Sequence, residues 1–315
     1  MELRHLRYFV AVAEEQNITR AAARLHVSQP PLSRQIRDLE EAVGTPLLER
    51  TARAVRLTPA GWAFLEGCYA VLRQADDAVR AAKAAASGAK GELQLGYAPG
   101  PTQEMLRELL RELRRVEPGL RVVLHDLSTA EMLHGLREGK LDAALMVDPG
   151  KQGARGLVFT KLREDEPMVL VAADHALARR RTVEVTELAR QPLVVFSRAE
   201  YPEYHVGLAA LLGKNAGRMK IAEECDSGAS MFAAVEAGSG VAVVSRSLAA
   251  AVGERLRLIA IRPMPAPTVV GVAHLATTRN RLVLRLVDVA RSLAGGKARP
   301  RVVNAGRLNE ARGQG

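Results

Sequence analysis

Apolar residues recur at helical spacing in two short runs near the N-terminus. Ile18, Ala22 and Leu25 share one face of a first short helix, for which Thr19 is the predicted N-cap. A second run repeats at intervals of four, three and four residues, at Leu32, Ile36, Leu39 and Val43. The pattern predicts two amphipathic helices in succession, each with one face turned towards a core.

The connection between these helices is a tight turn at His26–Val27. Ser28 is the predicted N-cap of the second helix, which begins at about Gln29. The pair Pro30–Pro31 fits its first turn, because backbone N–H groups there have no intrahelical acceptor. Two short helices joined in this way are typical of a helix-turn-helix unit.

The polar face of the second helix carries side chains that suit base recognition. Glutamine can pair through two hydrogen bonds with adenine, arginine with guanine, and serine with a base or a phosphate. The alternative is an ordinary pair of surface helices with a solvated charged face, and periodicity alone does not decide between them. The candidate DNA contacts are Ser28, Gln29, Pro30, Pro31, Ser33, Arg34, Arg37 and, in a predicted wing, Arg53.

Elements on both sides would complete a winged helix-turn-helix domain over residues 1–58. A first helix is predicted at Leu3–Glu15, and its apolar face can cover the helix pair. Two short strands are predicted around a turn at residues 51–54, and Arg53 at this tip would reach a phosphate or a minor groove. The alternative for this arginine is a solvated charge on a hairpin.

A long helix comes next, with Thr58 as its predicted N-cap and Pro59 as its first residue, and nothing breaks it before Ser87. Apolar positions repeat along residues 59–86 at alternating intervals of four and three: Phe64, Cys68, Val71, Ala75, Ala78, Ala82 and Ala85. A second stripe contains Trp62, Leu65, Tyr69, Leu72 and Val79. We predict a homodimer through this helix, which would place two recognition helices about 34 Å apart. Burial against the chain's own domain is the alternative.

Beyond a hinge at residues 87–91, strands alternate with amphipathic helices over residues 92–294. This alternation predicts α/β lobes with a parallel, doubly wound sheet. The first lobe would take residues 92–161 and 268–294, and the second 162–267. Chain crossings between the lobes would leave a cleft that can close on a ligand.

Three stretches of the second half have specific predictions. LREDEPMVLVAA is predicted as one strand, and HALARRRTVEVTEL as a polar connection. LRLIAI and TVVGVAHLA are predicted strands that, with the helix after them, return the chain to the first lobe. The basic tail, residues 295–315, lacks apolar periodicity and is predicted to be disordered.

The N-terminal quarter resembles LysR-type transcriptional regulators in the stretches RHLRYFVAVAEEQNITRAA, AARLHVSQPPLSRQIRDLEEAVGTPLLER and LTPAGWAFL. The resemblance is nearly unbroken to about Leu72 and more diffuse to about Leu293. It implies a winged helix-turn-helix, a long linker helix and a two-lobed effector domain like that of periplasmic binding proteins. It also implies a homodimer or homotetramer that binds double-stranded promoter DNA and a small-molecule effector and acts with RNA polymerase. The start of the chain most resembles the subgroup that controls aromatic-compound catabolism.

Strand-to-helix turns are candidate effector contacts, because helix N-termini present amides to anions. In the resembled family the matching turns surround a small inducer that often carries a carboxylate. Thr129 fits the family pattern, whereas Gly100 stands where relatives that bind aromatic acids commonly have a hydroxyl residue, so Thr102 or backbone amides would substitute. Helix capping is the alternative role of each hydroxyl. The candidates are Gly100, Pro101, Thr102, Ser128, Thr129, Ser197, Arg198, Asp226 and Ser227.

The composition of the 315 residues is that of an ordinary globular protein, with 48% hydrophobic and 25% charged residues. Neither an apolar signal segment nor a membrane-spanning run is apparent, so we expect a cytoplasmic location. A net charge of +10 favours a polyanionic partner. Residues 1–60 nevertheless hold nine arginines against seven acids, so individual arginines must define any DNA surface. Cys68 and Cys225 are predicted packing residues.

The sequence contains no nucleophile elbow, P-loop or HExxH motif, and its seven histidines show no metal-ligand spacing. We therefore expect neither an enzyme nor a bound cofactor or metal. The leading prediction is a sequence-specific DNA-binding regulator switched by a small, carboxylate-bearing inducer between two α/β lobes. The alternative is a small-molecule binding protein whose helical N-terminus serves only for dimerisation.

Overall fold

The structure is a computed structural model that describes residues 1–50, 55–86, 91–250, 252–295 and 300–302. The predicted wing tip with Arg53, hinge residues 87–90 and most of the C-terminal tail lie outside the described residues. The chain divides into two compact units. The first comprises Met1–Ser87 with Arg137–Lys140, and the second comprises Gly88–Leu136 with Leu141–Gly315.

The first unit contains the predicted pair of short helices. Its helices are α1 Leu3–Glu15, α2 Ile18–Arg24, α3 Gln29–Val43 and α4 Pro59–Ala86. Between α3 and α4, strands β1 Leu48–Arg50 and β2 Val55–Leu57 pair antiparallel. This order confirms the predicted fold of a winged helix-turn-helix followed by a long linker helix.

Local side chains fix where two of these helices begin. Asn17, not the predicted Thr19, caps α2, because the Asn17 Oδ1 accepts a hydrogen bond from the Arg20 N–H at 3.0 Å. The helix begins at Ile18, earlier than predicted, so the N-cap is the residue before it, Asn17. Thr58 caps α4 as predicted, since its hydroxyl oxygen accepts from the Gly61 N–H at 2.9 Å.

The core of the first unit holds α3 from one side. Leu32, Ile36 and Leu39, three members of its predicted apolar stripe, are at most 1% exposed. They belong to the same cluster as Phe9 of α1, whose ring meets that of Phe64 in α4 edge to face at 5.2 Å between centroids. Burying each such side chain contributes roughly 1.5–3 kcal/mol. The helix is therefore anchored along its apolar face, and its polar face is left outward.

The second unit alternates strands and helices. Its strands are β3 Gly91–Tyr97, β4 Leu120–Asp126, β5 Ala143–Val147, β6 Leu157–Asp165, β7 Pro167–Ala172, β8 Thr182–Glu184, β9 Pro192–Phe196, β10 Lys220–Cys225, β11 Ala242–Ser245, β12 Leu256–Arg262, β13 Thr268–Leu275 and β14 Pro300–Val302. Its helices are α5 Gln103–Val116, α6 Thr129–Glu138, α7 Gly150–Gly153, α8 Val185–Leu188, α9 Pro202–Leu212, α10 Gly228–Glu236 and α11 Arg281–Leu293.

A six-stranded sheet in the order β14-β6-β13-β5-β3-β4 forms the first lobe. Strand β3 pairs parallel with β4 and β5, but β13 runs antiparallel to β5 and β6. The sheet is mixed, not parallel throughout as predicted, because β13 re-enters from the second lobe and not through a helical crossover. Helices α5 and α11 share one apolar cluster with the sheet, and α6 belongs to another.

The second lobe combines a four-stranded sheet, β11-β7-β12-β8, with the parallel pair β10-β9. A single bridge between Leu193 and Val241 connects the two. One apolar cluster contains residues of α8 and α9, and another contains residues of α10. The two-lobed α/β fold predicted from the sequence is therefore confirmed.

The lobe boundaries correct three predictions. LREDEPMVLVAA is not one strand, since β6 ends at Asp165 in the first sheet and β7 begins at Pro167 in the second. The predicted polar connection contains β8 and α8, whose Val183 and Leu188 are buried, each beside one glutamate in the chain. LRLIAI forms β12 in the second lobe, which agrees with the predicted bounds 162–267 but not with its prediction as part of the return to the first lobe.

The C-terminal tail is not wholly irregular. Pro300–Val302 forms β14, which pairs antiparallel with Val158–Thr160 of β6. The prediction of disorder for residues 295–315 is therefore wrong for this segment, while residues 296–299 and 303–315 lie outside the described residues. Edge strands of this kind need backbone partners and not an apolar pattern, which explains why periodicity did not indicate it.

Candidate DNA-binding and effector-binding sites

Helix α3 presents its polar N-terminal half to solvent. Ser28, Gln29, Arg34 and Arg37 are exposed, as are both prolines of the first turn, and Ser33 is half-buried. The Arg37 Nε–H donates to the backbone oxygen of Ser33 at 3.4 Å. Within the described part of the chain, Arg34 forms no hydrogen bond or ion pair, so its five donors are available to a ligand.

Ser28 begins α3 without capping it. Its backbone is extended, with φ −78° and ψ 150°, but its side chain accepts no capping hydrogen bond from the helix. The hydroxyl is therefore free of the usual N-cap role and is suited to a phosphate or a base edge. Whereas the sequence assigned Ser28 to both roles, the structure removes the first.

Two polar contacts position α3, and the sequence analysis did not identify them. The His5 Nε2 and Gln35 Oε1 lie 2.8 Å apart and connect α1 to α3. The Glu40 carboxylate accepts hydrogen bonds from the Leu47 and Leu48 N–H groups at 2.9 and 3.0 Å. These contacts connect the end of α3 to the start of β1, so the helix and the wing are held together.

Helix α4 uses only part of its two apolar stripes within its own unit. Leu65, Cys68 and Leu72 are buried in the core of the first unit. Burial also raises the pKa of the Cys68 thiol to about 12, as expected for a packing residue. Trp62 and Val79 are instead 56% and 53% exposed. These two exposed apolar side chains, near the start and in the second half of a 28-residue helix, are available to a partner.

A cleft of about 630 Å³ in the second unit lies between elements of its two lobes. Four of the nine predicted effector contacts line it, namely Gly100, Ser128, Asp226 and Ser227. Other side chains that line it were not predicted from the sequence, and the acidic and aromatic ones among them are Asp126, Glu131, Glu200, Tyr201 and Phe232. The sequence did contain one indication of the position of Glu131, because Ser128 and Glu131 match the capping-box pattern of a helix start.

Five predicted contacts do not line this cleft. The hydroxyl of Thr102 is fully buried and donates to the Ala98 oxygen at 2.6 Å, so Thr102 does not replace the hydroxyl that position 100 lacks. Ser197 is half-buried, and its N–H donates to the Cys225 oxygen at 2.7 Å. The other three that do not reach the cleft are Pro101, Thr129 and Arg198.

Side chains at the start of α6 bridge the two lobes. The Ser128 hydroxyl donates to Glu200 Oε2 at 2.5 Å, and the Thr129 hydroxyl donates to Glu203 Oε1 at 2.7 Å. The Ala130 N–H donates to the Glu200 backbone oxygen at 3.0 Å. Burial raises the pKa of Glu203, and the hydrogen bond from Thr129 opposes that rise. Thr129 therefore acts across the lobes and not towards the cleft.

Glycine at position 100 allows the lobes to approach. Its φ is +99°, a conformation that side-chain-bearing residues rarely adopt. A Cβ there would also lie 2.6 Å from Leu248 Cδ2 of the second lobe. The backbone conformation therefore disfavours a hydroxyl-bearing residue at this position in this chain.

The described helices include none with the length and apolar character needed to cross a membrane. A winged helix-turn-helix and a two-lobed α/β unit with a cleft together define the class of ligand-responsive DNA-binding regulators. Comparison with known proteins makes the class more specific. Residues 3–62 match the family described as "Bacterial regulatory helix-turn-helix protein, lysR family", and residues 86–295 match "LysR substrate binding domain".

Relatives and solved structures agree with these matches. AlsR, an HTH-type transcriptional regulator of Bacillus subtilis (strain 168), is 33% identical over 78% of this chain and 81% of its own length. TfdS of Cupriavidus pinatubonensis is 32% identical over 94% of this chain and all of its own. The crystal structure of CbnR, a LysR family transcriptional regulator, has a TM-score of 0.58 at 29% identity and covers 93% of this chain and 99% of CbnR. A second similar structure shows full-length CbnR with its target DNA. Its TM-score is 0.54 at 28% identity, and the match covers 93% of this chain and all of that CbnR chain.

The chain belongs to the LysR family of transcriptional regulators. It is a sequence-specific DNA-binding regulator with an effector-binding domain. These relatives are regulators, not enzymes, and they give no support to the alternative of a ligand-binding protein without a DNA site.

Proposed function

We propose that α3 enters the major groove and that Gln29, Ser33 and Arg34 contact base edges. The observation that carries this assignment is that the polar start of α3 is exposed, while Leu32, Ile36 and Leu39 of its apolar stripe are buried. Ser28 and Arg37 are assigned to phosphates at the rim of the groove, with Pro30 and Pro31 packing against the sugar-phosphate backbone. Arg53 of the wing is assigned to a phosphate or the adjacent minor groove.

The regulator is proposed to act as a homodimer formed through α4. The exposed Trp62 and Val79 support this assignment, because a second copy of the helix would cover them. Two dimers would assemble into a tetramer, and RNA polymerase is a further partner implied by family membership alone. Residues 1–58, 59–86 and 92–294 would then be the DNA-binding domain, linker and effector domain.

Effector binding is assigned to the cleft lined by Gly100, Ser128, Asp226 and Ser227. A ligand that fits one separation of the lobes better than another would shift their population towards it. The shift would change the angle at which an oligomer presents its recognition helices. Some relatives regulate named operons, such as the Hca operon transcriptional activator HcaR of Escherichia coli, but the ligand class here depends on the cleft itself.

Selection of bound duplexes from a random pool, followed by footprinting on the DNA upstream of the gene, tests the DNA-binding assignment. We expect a protected, roughly palindromic site whose boundaries change when an effector is added. A Gln29→Ala variant should lose preference at one base pair of each half-site while remaining folded. Equal retention of all duplexes by the wild-type chain at moderate salt would refute the assignment of α3 to base recognition.

A further inference from the structure

The position and volume of the effector cleft can be described without reference to the charges that line it. It encloses about 630 Å³ where the ends of β4 and β10 meet the starts of α6 and α10. A cavity of this size accommodates a small organic molecule. The chemical class of that molecule can be inferred from the lining residues, and the inference rests on the proposed function, in which this cleft is the effector site.

Every charged side chain that lines the cleft is acidic. The lining carboxylates are Asp126, Glu131, Glu200 and Asp226. Among the described residues that line the cleft, there is no lysine, arginine or histidine. A carboxylate ligand would therefore enter a negative potential without a cationic partner, which opposes its binding. A cation would be attracted by the same potential.

Several of the amides on which an anion would depend already have protein acceptors. At the start of α6, the Ser128 N–H donates to Glu131 Oε2 at 2.8 Å, and the Ala130 N–H donates to the Glu200 backbone oxygen at 3.0 Å. At the start of α10, the Ser227 N–H donates to Ser230 Oγ at 3.2 Å. The Ser128 hydroxyl is committed to Glu200 as well. Free amides at helix starts were the basis for expecting a carboxylate inducer, and this basis is weakened at the start of α6, while the Gly228 and Ala229 N–H groups of α10 have no acceptor among the described residues.

Two aromatic rings, Tyr201 and Phe232, line the same space. Tyr201 is fixed, because its ring packs against that of Phe196 at 4.6 Å between centroids and its hydroxyl donates to the Asp226 backbone oxygen at 3.1 Å. Burial raises the pKa of the Tyr201 hydroxyl to about 12, and the charges of Glu131 and Asp126 add to the rise. An aromatic face in a negative field is a favourable neighbour for an organic cation.

Asp126 is the carboxylate most available to a ligand. It ends β4, is exposed, and accepts no side-chain hydrogen bond from the described residues. Glu131 and Glu200 instead accept hydrogen bonds from Ser128, and Asp226 accepts one from Ser230 Oγ at 3.0 Å. We propose that the effector of this regulator is a small organic cation, a protonated amine or guanidine with an apolar body, whose charged head is held by Asp126 beside the ring of Tyr201.

Pairs of ligands with matched shape and opposite charge test this assignment on the full-length protein. Benzylamine is compared with benzoate, and 1,4-diaminobutane with succinate, by calorimetric titration at neutral pH. We expect at least one amine to bind and its matched acid not to bind. Asp126→Asn should weaken amine binding by roughly ten- to a hundredfold, because that is the loss expected when a hydrogen bond to a charged group is removed. The exposed Asp288 of α11 provides the control, and Asp288→Asn should leave the affinity unchanged.

Three outcomes would overturn the proposal. Binding of an acid but not of its matched amine would exclude a cationic effector while leaving the cleft as the effector site. Calcium chloride is also titrated alone. If calcium binds, displaces the amine and no longer binds the Asp126→Asn variant, the cleft is a metal site instead. If no amine binds, the cation assignment fails. DNA footprints taken with all four ligands separate this failure from that of the proposed DNA-binding function, which fails if selected DNA is not bound or if all duplexes are retained equally.

Discussion

Replacing Arg34 with alanine separates DNA contact from folding. The side chain is exposed and forms no hydrogen bond or ion pair with the described residues, so its removal should change the free energy of unfolding by no more than about 0.5 kcal/mol. A bidentate contact to guanine is worth about 1–3 kcal/mol of discrimination. Because about 1.4 kcal/mol corresponds to a tenfold change in Kd, the loss should be roughly 5- to 150-fold per half-site.

The assay is fluorescence anisotropy with a selected duplex and with duplexes changed at single positions, at constant salt. The affinity of Arg34→Ala should fall for the selected duplex and should no longer depend on one base pair. Arg34→Lys should recover only part of the affinity, since lysine keeps the charge but not the planar pair of donors. Arg111→Ala, an exposed arginine of α5 in the other unit, is the matched control and should behave as the wild type.

Two results would refute the reasoning about Arg34. A uniform loss across all duplexes, with a shallower dependence of affinity on salt, would show that Arg34 contacts a phosphate and not a base. Unchanged affinity would show that the start of α3 does not face the base edges at this position. Either result would move the specificity of the recognition helix to other residues.

Three further predictions concern stability and are measured by urea unfolding. Thr58→Ala should lower the free energy of unfolding by about 1 kcal/mol, with Thr58→Ser near the wild type, because the hydroxyl caps α4. Glu40→Ala should cost about 2–3 kcal/mol, since it leaves the N–H groups of Leu47 and Leu48 without their acceptor; an unchanged midpoint would contradict this. Burial raises the pKa of Glu203, so the folded chain holds a proton that the unfolded chain has lost, and stability should fall as pH rises from the ordinary glutamate pKa to the raised one. Glu203→Gln should flatten that fall, and an equally steep fall in the variant would reject the cause.

Helix boundaries and buried faces could be predicted where local sequence determines them. The predicted helix Leu3–Glu15 and the start of α3 at Gln29 agree with the structure, because apolar periodicity and caps act over a few residues. The cap of α2 was misplaced, at Thr19 and not at Asn17, since both side chains are competent caps and only the backbone shows which one is used.

Strand partners could not be predicted in the same way. The antiparallel insertion of β13 between β5 and β6, and the place of β12 in the second lobe, depend on where the chain crosses between lobes. A strand's own pattern records which of its faces is buried but not its neighbours or their direction. The same reason applies to β14, which has a backbone partner and no apolar pattern.

Local sequence was enough to assign the family of this protein, its winged helix-turn-helix and the polar face of its recognition helix, because each depends on residues close together in the chain. Only the tertiary structure decided which side chains share the cleft. Thr102 and Thr129 have the right residue type at the right turns, yet their hydroxyls are committed to Ala98 and Glu203. Asp126 and Tyr201 line the cleft although they are 75 positions apart, since the two lobes bring distant strand ends together. The charge of a binding site is a sum over such distant neighbours, so the acidic character of this cleft appears only when the chain is folded.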